Sequence, residues 1–196
     1  LRHEGDLDLE GIDLSTWRFT DELGGLTEAG ALTVRASGSL RVNGTISDGF
    51  FDTGAMLDLL PSRSTTLRFT AGASLGAANP HTFASGTDAD LTIGSGAIVR
   101  TGTGDLALNA SRDVIFDGFG SAAYTGGVAG SPTQPGEVSI AFPTLGGQLQ
   151  INAGRDLVAV TPVVQGPADW MPRLGSAGIV PSPTRWGVRP DLFRWN

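Results

Sequence analysis

Three pairs of aspartates stand where acid/base chemistry could be built: Asp88 with Asp90, Asp105 with Asp113, and Asp48 with Asp52. Two carboxyl groups held about 5–9 Å apart on an exposed sheet face can cleave a glycosidic bond, one giving a proton while the other attacks or activates water. The same residues have a plainer use. Asp88 and Asp90 flank the start of an apolar run, a place where Asp is common because its carboxylate bonds nearby backbone N–H groups. The dipeptides Arg112-Asp113 and Arg155-Asp156 repeat one local context. They read either as a ladder of ligand-binding charges or, preferably, as aspartates bonded to corner backbone with arginines lying outward across neighbouring turns of chain.

Other chemistries are poorly supplied. Cysteine is absent and all 13 basic residues are arginine, so thiol catalysis and a phosphate loop with its Gly-Lys-Ser/Thr element are excluded. His3 and His81 are far apart in sequence, Ser74 and Ser95 have no histidine partner, and no calcium-binding nonapeptide array is present. No cofactor or metal is expected. The net charge of -7 argues against nucleic acid as a partner. Recognition is better sought among the aromatics of the irregular stretches: Phe50, Phe51, Phe119, Tyr124, Trp170, Trp186 and Trp195. Their alternative role is to pin those stretches to the body of the protein.

The elements that must position these residues are strands. Leu106, Leu108, Ala110 and Val114 define an offset pattern of 0, 2, 4 and 8. The same pattern is met by Leu149, Ile151, Ala153 and Leu157, by Leu32, Val34, Ala36 and Leu40, and by Leu67, Phe69, Ala71 and Leu75. Leu91, Ile93, Ser95 and Val99 fit it with a hydroxyl in the small slot. Each unit holds two period-2 runs joined by a corner, and such recurrence marks a repeat architecture. One coil cannot bury its inner face alone, whereas stacked coils place aliphatic over aliphatic about 4.8 Å apart. The 29 glycines fall largely at corners between apolar runs.

The expected fold is all-β: a right-handed parallel β-helix over 1–160, with insertions at 47–62, 77–87 and 117–146. Residues 5–14 are expected to form a weak first coil, and Trp17 with Phe19 a further strand. Residues 89–116 read as two coils without a gap, with Leu106 directly above Leu91. Residues 161–196, rich in proline and tryptophan, read as an irregular strap on the coil body. An antiparallel sandwich also gives short alternating strands, but has no reason to repeat a small residue at offset 4 and an aliphatic one at offset 8.

Ala-Gly-Arg-Asp-Leu at 153–157 and Ala-Ser-Arg-Asp-Val at 110–114 resemble the repeats of filamentous haemagglutinin-type exoproteins of two-partner secretion systems. Thr101–Asp105, Tyr124–Gly127 and Phe142–Gly147 are similar to a region of large proteobacterial members of that group. The resemblance covers about residues 28–160. It implies a filamentous adhesin or stalk, secreted or at the bacterial cell surface, exported through an outer-membrane transporter of the two-partner type. Its partners would be flanking β-helical coils of a parent chain and a host-cell protein or glycan. The secretion domain of that family is not evident here, and the opening on Leu1 reads as a segment of something longer. The expected function is structural or adhesive, without catalysis. The alternative is a β-helix carbohydrate-active enzyme, a polysaccharide hydrolase or lyase using the aspartates named above.

Overall fold

The computed structural model describes residues 1–20, 27–52, 57–128 and 143–160. Within them every regular element is a strand. The first coil runs through β1 (Arg2–His3), β2 (Leu7–Leu9) and β3 (Ile12–Asp13), and is followed by the strands β4 (Arg18–Thr20) and β5 (Thr27–Ala29). The second coil is β6 (Ala31–Ala36), β7 (Leu40–Val42) and β8 (Ile46–Ser47), followed by β9 (Phe50–Asp52) and β10 (Leu57–Leu59). The third is β11 (Thr66–Ala71), β12 (Leu91–Ile93) and β13 (Ile98–Thr101); the fourth is β14 (Leu106–Ala110), β15 (Val114–Asp117) and β16 (Ala122–Thr125). The described part of the fifth is β17 (Leu149–Ala153) and β18 (Leu157–Val160).

Successive coils stack in parallel. The first sheet has the order β1-β6-β11-β14-β17, the second β2-β7-β12-β15-β18 and the third β3-β8-β13-β16. The two extra pairs, β4 with β5 and β9 with β10, are antiparallel. The molecule is thus a three-sided solenoid of β-helix type carrying antiparallel excursions.

The inner columns follow from the alternation in the sequence. Leu32, Leu67, Leu106 and Leu149 are register partners, as are Val34, Phe69, Leu108 and Ile151. Ala36, Ala71, Ala110 and Ala153 form the third column, next to the corner. Leu40, Leu91, Val114 and Leu157 continue it on the second sheet. Phe69, Leu106, Leu108, Leu91 and Ile93 are fully buried in one continuous core. Burial of one such side chain contributes about 1.5–3 kcal/mol, which is why the coils hold together as a stack and not singly.

Three readings of the sequence are corrected. Leu106 does not lie over Leu91: Leu106 pairs with Leu67 and Leu149 on the first sheet, whereas Leu91 pairs with Leu40 and Val114 on the second. Residues 89–116 therefore hold the second and third sides of one coil and the first two sides of the next. Leu75 likewise does not occupy the offset-8 slot. The chain leaves the corner after Ala71, and Leu91 fills that slot once it returns. Ser95 is an exposed turn residue, its hydroxyl donating to the Phe119 carbonyl at 3.2 Å, not an inward small residue.

The excursion after Ala71 lies on the outer face of the first sheet. Arg35 and Thr70, outward-facing neighbours in register, are buried beneath it. Arg35 donates to the carbonyls of Ser74 and Ala77, and the Thr70 hydroxyl to the carbonyl of Pro80 at 2.9 Å. Asn109, next in that row, donates to the Phe69 carbonyl and meets His81 Nδ1 at 2.9 Å. Polar side chains under a loop in this way supply the partners that its backbone would otherwise lack, although Arg35 Nε is itself left buried without an acceptor.

At the corner from the third sheet to the first, the coils approach so closely that a Cβ on Gly147 would overlap the Gly104 carbonyl. β16 lies inside the 117–146 span that reads as insertion from the sequence, where it forms the third side of the fourth coil. The strap at 161–196 lies outside the described residues.

Candidate functional site

Three places on the solenoid gather side chains that could act as a site. The first is the excursion after β8. Phe50 is buried, and its ring meets Tyr124 edge-on with centroids 5.7 Å apart. The Arg100 guanidinium lies 4.6 Å from the Phe50 ring centroid and donates to the Tyr124 hydroxyl at 3.2 Å and to Ser47 Oγ at 2.8 Å. A cation held between two aromatic groups fixes β9 and β10 on the third sheet. Phe50 and Tyr124 are thus brought together as an anchor. Phe51 on the same strand is 41% exposed, and Phe119, at the corner between the second and third sheets, is 60% exposed. Trp170, Trp186 and Trp195 lie outside the described residues.

The second place is the corner from the first sheet to the second. There, one side-chain oxygen per coil accepts the backbone N–H of its counterpart in the next coil. Asp6 Oδ1 accepts from Ser39 N at 2.7 Å, Ser39 Oγ from Asp90 N at 3.2 Å, Asp90 Oδ1 from Asp113 N at 3.2 Å, and Asp113 Oδ1 from Asp156 N at 3.1 Å. Arginines reinforce the upper rungs. Arg112 Nε donates to Asp90 at 2.7 Å and Arg155 Nε to Asp113 at 2.9 Å, each guanidinium adding a second bond through Nη2. The Arg112 hydrogen bonds hold the Asp90 carboxyl below the usual carboxylate range against the opposing effect of partial burial, helped by the Asp113 N–H. Arg155 does the same for Asp113. The resembling segments 110–114 and 153–157 are this corner in the fourth and fifth coils. Their Arg-Asp pairs serve the spine of the stack. A signal for it was present in the sequence: an Asp or Ser directly before each of Leu7, Leu40, Leu91, Val114 and Leu157.

The acid/base candidates are scattered over the solenoid: Asp88 is exposed ahead of the first-to-second corner, and Asp52 ends β9. Asp90 and Asp113 are bonded to arginines as described. Asp48 is fully buried and accepts from Arg18 Nη1 and Nη2 at 3.2 and 2.8 Å, from Gly49 N at 2.6 Å and from Thr65 N at 2.6 Å. It ties the exits of the first two coils to the start of the third. Asp105 is exposed and accepts from Gln148 N at 2.9 Å. Among the described residues, no group of three or more His, Asp or Glu is placed to hold a metal ion.

The third place is the groove outside the corner from the third sheet to the first, which the sequence did not single out. A cavity of about 360 Å³ lined by Trp17, Phe19, Leu32 and Thr65 adjoins at Gly30 one of about 410 Å³ lined by Arg63, Thr66, Thr103, Asp105 and Leu145. Trp17 and Phe19 are 61% and 71% exposed. The Arg18 between them turns inward to Asp48, which leaves both rings facing out. Their signal in the sequence was an alternation that read only as one more strand.

Comparison of the chain with family models, with curated proteins and with solved structures finds no match.

Proposed function

We propose that this chain is a structural and adhesive segment of a filamentous exoprotein, secreted or held at the bacterial cell surface, with no catalysis of its own. The observation that carries the reading is the corner ladder from Asp6 through Ser39, Asp90 and Asp113 to Asp156. Each rung uses the same bond to hold the next, so the arrangement is one that propagates along an axis. Its last member, Asp156, has a side chain 62% exposed, and Leu157 beside it is 59% exposed. These are the positions on which a flanking coil would stack.

The reading includes a right-handed helix, a strap formed by residues 161–196, and export through an outer-membrane transporter of the two-partner type. What supports these finer points is the resemblance of 110–114 and 153–157 to haemagglutinin-type repeats, together with the equivalent corners the two segments occupy.

The test is binding of the labelled chain to host epithelial cells, alongside release of reducing ends from plant and bacterial polysaccharides. Saturable cell binding without release of reducing ends is the expected outcome. Release that disappears in Asp105→Asn would establish the carbohydrate-active enzyme in its place. A chain that binds no cell while flanking regions do is a scaffold and not an adhesin.

A further inference from the structure

The groove at the third-to-first corner has features that stacking does not explain. Trp17 and Phe19 are large apolar surfaces left in solvent beside a fully formed core. The Phe19 ring packs over Gly30, where a Cβ would come 2.7 Å from Phe19 Cε2. At the far end, Leu145 is 76% exposed and has a φ of 60°, a left-handed conformation that is costly for a leucine. Aromatic rings and a strained leucine thus frame a polar stretch containing Arg63, Thr103 and Asp105.

Charge and backbone narrow the class of ligand. Arg18 is neutralised by Asp48, so among the described residues the two cavities present Arg63 and Asp105 as exposed charges, with the exposed Glu28 opposite Phe19 on β5. One arginine among acidic neighbours gives no focus for a polyanion. The corner backbone is already used between coils, through Thr66 N to the Gly30 carbonyl, Leu67 N to Asp105 and Leu106 N to Gln148. Along the corner itself an added peptide strand finds no open edge, although β4 and β5 pair only with each other. What remains are ring faces for apolar C–H surfaces and scattered donors and acceptors for hydroxyls, the two sides of a sugar ring. From the Gly30 level, where Phe19 lies, to Leu145, before the fifth coil, the groove crosses three inter-coil steps, about 14 Å at roughly 4.8 Å each. It is long enough for a chain of sugars and not for one alone.

We propose that this groove binds a neutral linear oligosaccharide, with sugar rings stacked on Trp17 and Phe19 and hydroxyls bonded by Arg63, Thr103 and Asp105. The proposal rests on the adhesive reading above and names its ligand class and its site.

Isothermal titration of the full chain with cellohexaose, mannohexaose, laminarihexaose and chitohexaose, against hexagalacturonate and a heparin hexasaccharide, tests it. At least one neutral hexasaccharide binds, and Trp17→Ala and Phe19→Ala each weaken it by roughly tenfold or more, without loss of the folded state by circular dichroism. No binding of any neutral hexasaccharide overturns the proposal, as does preference for the charged ones, or affinity unchanged in both variants. Cell binding by the same variants keeps the two readings apart. If the variants bind cells as well as the wild-type chain does, the protein is an adhesin whose cell-binding site lies elsewhere. Hexasaccharide binding lost with the rings, in a chain that binds no cell, upholds the groove and refutes adhesion to the cells used.

Discussion

Asp90 and Asp113 occupy the same corner one coil apart, and the carboxylate of the first accepts the backbone N–H of the second at 3.2 Å. Arg112, next to Asp113 in sequence, reaches back to the same carboxylate, and Arg155 repeats the move on Asp113. One carboxylate therefore binds both backbone and side chain of the coil above it. The cohesion of the stack is concentrated at this corner as well as in the apolar columns.

Acid should weaken that corner first. Asp90 and Asp113 have folded pKa values lowered by their arginine partners, below the unfolded value of about 3.9. A lowered folded value means the unfolded chain takes up protons first, so this stability is fully present above the unfolded pKa and is lost as pH falls through the folded one. The melting temperature of Asp90→Asn should lie below that of the wild type at pH 7, and the gap should narrow as pH falls below about 3.9. A gap that stays constant with pH would mean the charge on Asp90 contributes nothing.

Asp48 makes a sharper case because it is fully buried with Arg18. Asp48→Ala leaves a largely buried guanidinium and two backbone N–H groups without their acceptor, and should cost about 3–5 kcal/mol in denaturant unfolding. Arg18→Ala and the double variant complete the cycle. Additive losses would show that the two side chains act independently.

Position along the stack should grade the cost of core truncation. Leu108 is fully buried between coils, whereas Leu157 on the last described rung is 59% exposed. Leu108→Ala should cost about 2–5 kcal/mol, and Leu157→Ala less than about 1 kcal/mol. Equal losses in urea titrations would contradict the exposure of the last rung.

The alanine column should resist enlargement. Ala71 is buried between Ala36 and Ala110. Ala71→Leu should cost about 1–3 kcal/mol through overpacking, measured as a lowered urea midpoint, although it adds apolar area. A stabilised variant would show that this corner is loosely filled.

Much of this was readable in the residues. Ala36, Ala71, Ala110 and Ala153 share a column because a corner narrows the same way in every coil, and a small side chain at a fixed offset from two aliphatics records it. The offset-8 aliphatic was legible wherever the corner is three residues long, as at Leu40, Val114 and Leu157. It misled at Leu75, because a long excursion separates Ala71 from Leu91 and an isolated leucine in that loop happened to match. It misled again at Leu91, because the corner between the second and third sheets gives the same spacing as the corner between the first and second. Alternation tells which residues point inward; it does not tell which side of the coil they line. The Trp17 and Phe19 groove was invisible for a related reason: it is made by residues of different coils, and only stacking brings Asp105 and Leu145 alongside Gly30.

The bonds joining one strand to the next run along the length of the solenoid, not across it. A pull on the two ends would load them in series, so the outermost turn would give way while those behind it still held. Tethered between two surfaces, such a molecule would lengthen in steps under strain, each step releasing slack that shields whatever contact it makes at its tip.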